Sequence, residues 1–268
     1  MKLDSIPGAS NGWANLVDLH SHVLPSVDDG AHDDATALQM LRVAQDDGVV
    51  AIAATPHSHR IAPERVDVGV ERLNRLAAEA GLTIRVVPGT EVRLAADLVA
   101  RHRSGNLITL NRTRYLLLEV PLSGPWPRYL PQVVDELHAE GILPILAHAE
   151  RYDDVQRHPE ILLDLIAAGV PIQVNADSLS QRAERGARPA AETLLRHHLV
   201  HVIASDAHHP QWRPPRLRAA LEVAAEVAGR DYADWIAGNS GAVIRGELLM
   251  LPEPRLPILN GLAAMEHV

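Results

Sequence analysis

The chain has 268 residues, 47% of them hydrophobic and 22% charged, with a formal net charge of -9 and no cysteine. Such a composition belongs to a globular protein with enough apolar material for a sizeable core, and the length suits one α/β domain. The acidic balance argues against a nonspecific grip on nucleic acid or an anionic membrane, and the missing cysteine excludes disulfides, thiolate metal sites and cysteine nucleophiles.

Residues 1–15 lack the apolar core of a signal peptide, and no apolar run approaches the roughly 18 residues of a membrane span, so no membrane insertion and a cytoplasmic location are expected. The first predicted strand, Leu16–Leu19, runs into Asp18-Leu19-His20-Ser21-His22. Alternation along an extended chain points His20 and His22 to one side, where both imidazoles can reach one ion. The turn Asp28-Asp29-Gly30 can fold either carboxylate back over that point. A helix is predicted at Ala35–Asp47, and Gly48 suits its left-handed cap. Strand Val49–Ala54 then leads into Thr55-Pro56-His57-Ser58-His59.

A second helix, Glu64–Ala80, precedes strand Ile84–Pro88, which runs into Gly89-Thr90-Glu91. Strand Tyr115–Val120 carries Glu119 after an apolar run. Helix Pro131–Glu140 leads to strand Ile142–Ala147 and on to His148-Ala149-Glu150-Arg151. Helix Pro159–Ala168 precedes strand Val170–Val174, followed by Asn175, which is expected to line the pocket. Helix Pro189–His198 precedes strand His201–Ala204, which leads into Ser205-Asp206-Ala207-His208-His209. Strands alternating with helices imply a parallel sheet with right-handed crossovers. Seven repeats without a linker predict a closed or nearly closed TIM-like barrel, with its chemistry at the strand C-terminal ends.

Six of the seven predicted strands thus end in His, Asp or Glu. A carboxylate buried without a partner is costly, and one shared metal cluster accounts for all six strand ends together. A mixed imidazole and carboxylate set suits Mn²⁺, Fe²⁺ or Zn²⁺ better than Ca²⁺ or Mg²⁺. Nine candidate ligands exceed the needs of one ion; two or three ions roughly 3.5–4 Å apart suit phosphate-ester hydrolysis. His102, His138, His158, His197, His198, His201 and His267 lie in helices, at element starts or in the tail and are read as structural. Asp18 and Glu150 either orient ligand imidazoles or face solvent.

Taken together, the runs Asp18–His22, Val27–Gly30, Thr55–His57, Gly89–Glu91, His148–Tyr152, Gln173–Asn175 and His201–His208 resemble the PHP (polymerase and histidinol phosphatase) superfamily. More narrowly, they resemble the bacterial manganese-dependent protein-tyrosine phosphatases of capsule and exopolysaccharide operons. The resemblance spans 16–246, between a 1–15 extension and a 247–268 tail. It implies a distorted (β/α)₇ barrel with a site for Mn²⁺, or for Fe²⁺, Co²⁺ or Zn²⁺. The implied ligands are His20, His22, Asp29, His57, Glu91, Glu119, His148, Asp206 and His208, with Arg151 and Arg213 binding phosphate. It also implies a phosphotyrosine substrate, on the tail of a tyrosine kinase controlling polysaccharide synthesis and export. A metal-activated hydroxide would attack phosphorus, and His59 or His209 would protonate the leaving group. The rival readings are another phosphoesterase of the superfamily, acting on histidinol phosphate or a nucleotide, and a non-catalytic adaptor of the kinase. The segment from Ser58 to Asp67 contains no aromatic residue to stack on a tyrosine ring.

Overall fold

The computed structural model describes residues 13–122, 124–180, 183–184 and 186–256. Eight strands are found among them: β1 (Leu16–Asp18), β2 (Val49–Ala54), β3 (Arg85–Pro88), β4 (Glu91–Arg93), β5 (Tyr115–Glu119), β6 (Leu143–Leu146), β7 (Gln173–Asn175) and β8 (Val202–Ala204). Their ladders are all parallel and form three sheets, β1-β2-β3, β4-β5-β6 and β7-β8. Isolated parallel bridges pair Ser21 with Ala207, His57 with Glu91 and Leu146 with Ile172, and each falls between two of these sheets.

Among the described residues nine α-helices pack around the strands: α1 (Asp34–Asp46), α2 (Pro63–Glu79), α3 (Leu98–Arg103), α4 (Leu130–Ala139), α5 (Asp153–Arg157), α6 (Leu163–Ala167), α7 (Ala187–Arg196), α8 (Arg218–Ala228) and α9 (Arg230–Arg245). Local chemistry sets their starts. Asp33 caps α1 by accepting the Thr36 N–H at 2.8 Å, and Pro63 opens α2, where its missing N–H costs nothing.

Side-chain alternation divides the core in two. Leu16, Ile52, Ala54, Val86, Leu116, Leu118, Leu146 and Ile203 pack against the helices. Val17, Ala51, Ala53, Val87, Tyr115, Leu117, Ile145, Val202 and Ala204 face one another from the opposite side of the strands. Val243 and Ile244 of α9 belong to this inner cluster, so the last helix covers one end of it. β7 turns Gln173 and Asn175 in place of apolar side chains.

Two sequence expectations are corrected. Strand Ile84–Pro88 does not carry Glu91 at its own end; the chain bends at Gly89-Thr90, and Glu91 opens β4. Gly89 allows the bend, since a Cβ there would meet the Leu110 side chain at 2.9 Å. The predicted helix Pro159–Ala168 is a 3-10 turn followed by the short α6, with α5 just before it. His158, preceding a proline, is held out of helical geometry at φ -137°. The helices α3, α5, α8 and α9 have no counterpart among the helices expected from the sequence.

Trp13 is buried, and its indole N–H donates to Asp234 at 2.7 Å, so the end of the predicted 1–15 extension packs on α9. The tail packs back on the domain: Tyr115 Oη donates to Glu247 O at 2.8 Å, Leu249 lies against the inner cluster, and Arg255 N donates to His197 O at 2.9 Å. His267 lies outside the described residues. No helix among the described residues is long and apolar enough to cross a membrane.

His201 accepts the Ile172 N–H at 3.0 Å through Nδ1, and burial lowers its pKa to about 3. Between that value and the ordinary one near 6.5, only the unfolded chain takes up this proton, so stability falls as pH falls through this window. Between pH 7 and pH 5 the wild type is expected to lose about 2 kcal/mol more than a His201→Gln variant, read from urea unfolding.

Candidate metal centre

Short segments following the strands deliver the polar side chains. His20 and His22 follow β1, and both reach the same two carboxylates. His20 Nε2 lies 3.5 Å from Glu91 and 3.3 Å from Asp206; His22 Nε2 lies 3.6 Å and 3.4 Å from the same groups. His57 Nδ1, after β2, is 2.8 Å from Glu91, and His148 Nε2, after β6, is 2.9 Å from it. Asp206 and His208 follow β8, and His208 Nε2 lies 3.5 Å from Asp29. Glu119, at the end of β5, shares a group of close donor atoms with His57 and Glu91.

All nine ligands expected from the sequence therefore converge. His20, His22, Glu91, His148 and Asp206 form a buried floor, while Asp29, 66% exposed, and His57, 21% exposed, stand at the rim.

The donor set fits divalent cations. His20 Nε2, His22 Nε2, Glu91 Oε2, Glu119 Oε2 and His148 Nδ1 are buried without any hydrogen-bond partner. Buried polar atoms are normally satisfied, so these five lone pairs or protons point to a missing partner. The local charge agrees. Burial opposes a charged His22, yet the Asp206 and Asp28 carboxylates and the charge of Glu91 raise it to about 10. Asp29 and Glu91 likewise raise His57 to about 9 against burial. This pocket attracts positive charge in whatever form is offered.

Three imidazoles are locked in one tautomer. His22 Nδ1 donates to Asp28 at 2.7 Å, His208 Nδ1 to the Asp206 carbonyl at 2.8 Å and His20 Nδ1 to Gln173 Oε1 at 3.2 Å. Each bond leaves Nε2 with its lone pair facing the cluster, as a metal ligand needs. Of the two turn carboxylates, Asp28 orients His22 while Asp29 faces His57 and His208. Gly30 lets this turn lie on β1, since a Cβ there would fall 2.0 Å from the His22 carbonyl oxygen.

Gln173 was not singled out as a positioning residue from sequence. Its Oε1 also accepts the His148 N–H at 2.9 Å, its Nε2 donates to Asn175 at 2.8 Å, and Asn175 Nδ2 donates to Asp206 at 2.7 Å. Two amides on one face of an otherwise apolar strand were the available signal. Asp18 and Glu150 are buried but bond no imidazole. Asp18 accepts from Ser205 N–H and Oγ–H and from the His20 N–H, while Glu150 accepts from Asn175 N–H and Ser178 Oγ–H. They hold the backbone of ligand-bearing segments, and burial raises Asp18 to about 6 despite those bonds. His148 and Asp206 sit at φ 33° and 50°, a left-handed geometry that costs a non-glycine residue on the order of 1 kcal/mol.

Arg151 and Arg213 both aim at Asp206 Oδ2, Arg151 at 3.6 Å and Arg213 in a closer hydrogen bond. Arg151 also reaches Glu184 at 3.3 Å. His59 and His209 stand aside. The exposed His59 ring lies 5.4 Å from that of His57, with its Nε2 accepting from Arg60, and His209 accepts the Gln211 N–H at 3.2 Å.

The family model described as "Capsular polysaccharide synthesis, CpsB/CapC" matches residues 16–245. The chain belongs to the CpsB/CapC family. Among its relatives, tyrosine-protein phosphatase YwqE of Bacillus subtilis is 29% identical, over 90% of this chain and 96% of the relative. Tyrosine-protein phosphatase CpsB of Streptococcus pneumoniae is 26% identical, over 87% of this chain and all of the relative. A crystal structure from work on YwqE and CpsB, described as unique metal-dependent tyrosine phosphatases, superposes with a TM-score of 0.85 at 29% identity, covering 90% of this chain and 100% of the other. A TatD-family hydrolase from Entamoeba histolytica, with a TM-score of 0.52 at 9% identity over 87% and 99% of the two chains, shares the fold alone.

Gln173→Leu removes the acceptor for His20 and the link to Asn175 while keeping a side chain of similar size. A 10- to 100-fold loss of Mn²⁺ affinity is expected by calorimetric titration, with an unchanged far-ultraviolet circular dichroism spectrum.

Proposed function

We propose that this protein is a metal-dependent tyrosine phosphatase linked to capsule or exopolysaccharide synthesis, built on a distorted (β/α)₇ barrel. The observation that carries the reading is the meeting of five unpartnered buried donor atoms with two guanidiniums at one carboxylate. His20, His22, Asp29, His57, Glu91, Glu119, His148, Asp206 and His208 would hold two or three divalent ions, Mn²⁺ by preference for a mixed nitrogen and oxygen set. Such ions supply Lewis-acid activation of water and of the phosphoryl group.

The chain's own residues do the rest. Arg151 and Arg213 approach from the half-exposed side and match the oxygens of a phosphoryl group with planar, charged donors. The floor of the site is closed to bulk water by burial of His20, His22, Glu91 and Asp206, which strengthens every charge interaction there. The open rim at Asp29 and His57 admits a side chain from outside. A tyrosine phenolate, with a pKa near 10, leaves readily enough that one protonated side chain at the rim suffices; His59, whose ring lies 5.4 Å from that of His57, or His209 would supply that proton. The substrate is a phosphotyrosine-bearing protein, with the tail of a bacterial tyrosine kinase as its natural source, and the reaction takes place in the cytoplasm.

Metal-stripped protein given back Mn²⁺ is expected to hydrolyse a phosphotyrosine peptide in preference to histidinol phosphate and mononucleotides. A His20→Ala, His22→Ala variant is expected to lose both metal and activity. Arg151→Ala is expected to keep its metal and lose about 10- to 100-fold in kcat/KM. Absence of turnover with Mn²⁺, Fe²⁺, Co²⁺ and Zn²⁺, despite stoichiometric metal, would overturn the reading.

A further inference from the structure

We infer that Trp212 is the platform on which the phenyl ring of the substrate rests, and that it sets a preference for aromatic over alkyl phosphomonoesters. The inference rests on the phosphatase reading above. Trp212 is 58% exposed, and single exposed apolar side chains are ordinary. Here the indole is exposed and also held in place. Its ring stacks on that of His209 at 5.2 Å between centroids and 19° between planes. The loop beneath it is closed by three bonds: the N–H groups of His208 and His209 both donate to the Arg213 carbonyl, at 3.1 and 3.2 Å, and the Gln211 N–H donates to His209 Nδ1 at 3.2 Å. His209 and Arg213 also pair as an antiparallel bridge.

That loop is part of the site. Within 206–213 the chain supplies Asp206 and His208 to the cluster and Arg213 to Asp206, and Trp212, next to Arg213 in the chain, is exposed to solvent. A phosphoryl group bound by Arg213 carries its ester group one oxygen away. An aromatic ester that leaves the phosphoryl group on the Arg213 side would meet the loop that carries Trp212, whose indole is held by its stack on His209. Rings pair by offset stacking or edge contact, which an alkyl chain cannot reproduce. The other side of the entrance offers no equivalent, because Ser58 to Asp67 contains no aromatic residue. Trp126 is half-buried and engaged edge-on with Tyr152 at 5.8 Å.

The test compares Mn²⁺-loaded wild type, Trp212→Ala and Trp212→Phe on one peptide carrying either phosphotyrosine or phosphoserine, with metal content measured for each protein. Trp212→Ala is expected to raise KM for the phosphotyrosine peptide about 10-fold with kcat within about 2-fold, and to leave kcat/KM for the phosphoserine peptide unchanged. Trp212→Phe is expected to restore most of the loss. Equal losses on both peptides would make Trp212 a structural part of the loop and overturn the inference, as would kinetics identical to wild type. Both of those outcomes leave the phosphatase reading standing, whereas no wild-type turnover of either peptide removes both.

Discussion

Glu91 and Asp206 are each 2% exposed and surrounded by imidazoles, and the rest of the structure is arranged around keeping these two carboxylates ionised there. Burial alone would drive both toward the neutral form. Against it, the charge of His20 and the hydrogen bond of His148 hold Glu91 well below the usual carboxylate range, and His20, His22 and Arg213 do the same for Asp206. An anionic core of this kind is stable only while cations surround it, as protons on imidazoles, as guanidiniums or as metal ions. Placing those partners explains several local departures from regular structure: the bend that separates β3 from β4, the left-handed backbone at His148 and Asp206, and the turn that Gly30 lays over His22.

Most of this was legible because parallel strands put their C-terminal ends on one side. The run Val49–Ala54 was bounded correctly by its apolar content, and the expected ligands at or after β1, β2, β5, β6 and β8 converge, whereas His59 and His209 do not. What escaped is what periodicity does not encode. Asp28 and Asp29 occupy the same turn with the same chemistry, and only the fold sends one to the Nδ1 of His22 and the other to the rim. Gln173 reads as one polar residue in a short strand, yet its amide joins His20 to Asp206 through Asn175. β4, at three residues, is too short for an alternation signal, and α9 is recognisable as an end cover only once Val243 and Ile244 meet the inner faces of the strands.

The site also divides its labour by depth. The floor residues are buried and oriented by amides and carboxylates behind them, which suits atoms that must not move. Asp29, His57, Arg151 and Arg213 retain more exposure, which suits groups that meet an incoming substrate. Membership of the CpsB/CapC family over 16–245 agrees with this division, since the matched span contains every residue of the floor and the rim.

Nine side chains, carried at β1, β2, β4, β5, β6 and β8 and in the turn after β1, would hold one compact group of ions. Anomalous diffraction at the manganese edge, from crystals of the Mn²⁺-loaded protein, tests it directly. Two or three manganese ions bonded to His20, His22, Glu91 and Asp206, with ligands added from the rim, are expected. A single ion, or manganese found only at surface carboxylates away from Glu91 and Asp206, would contradict it.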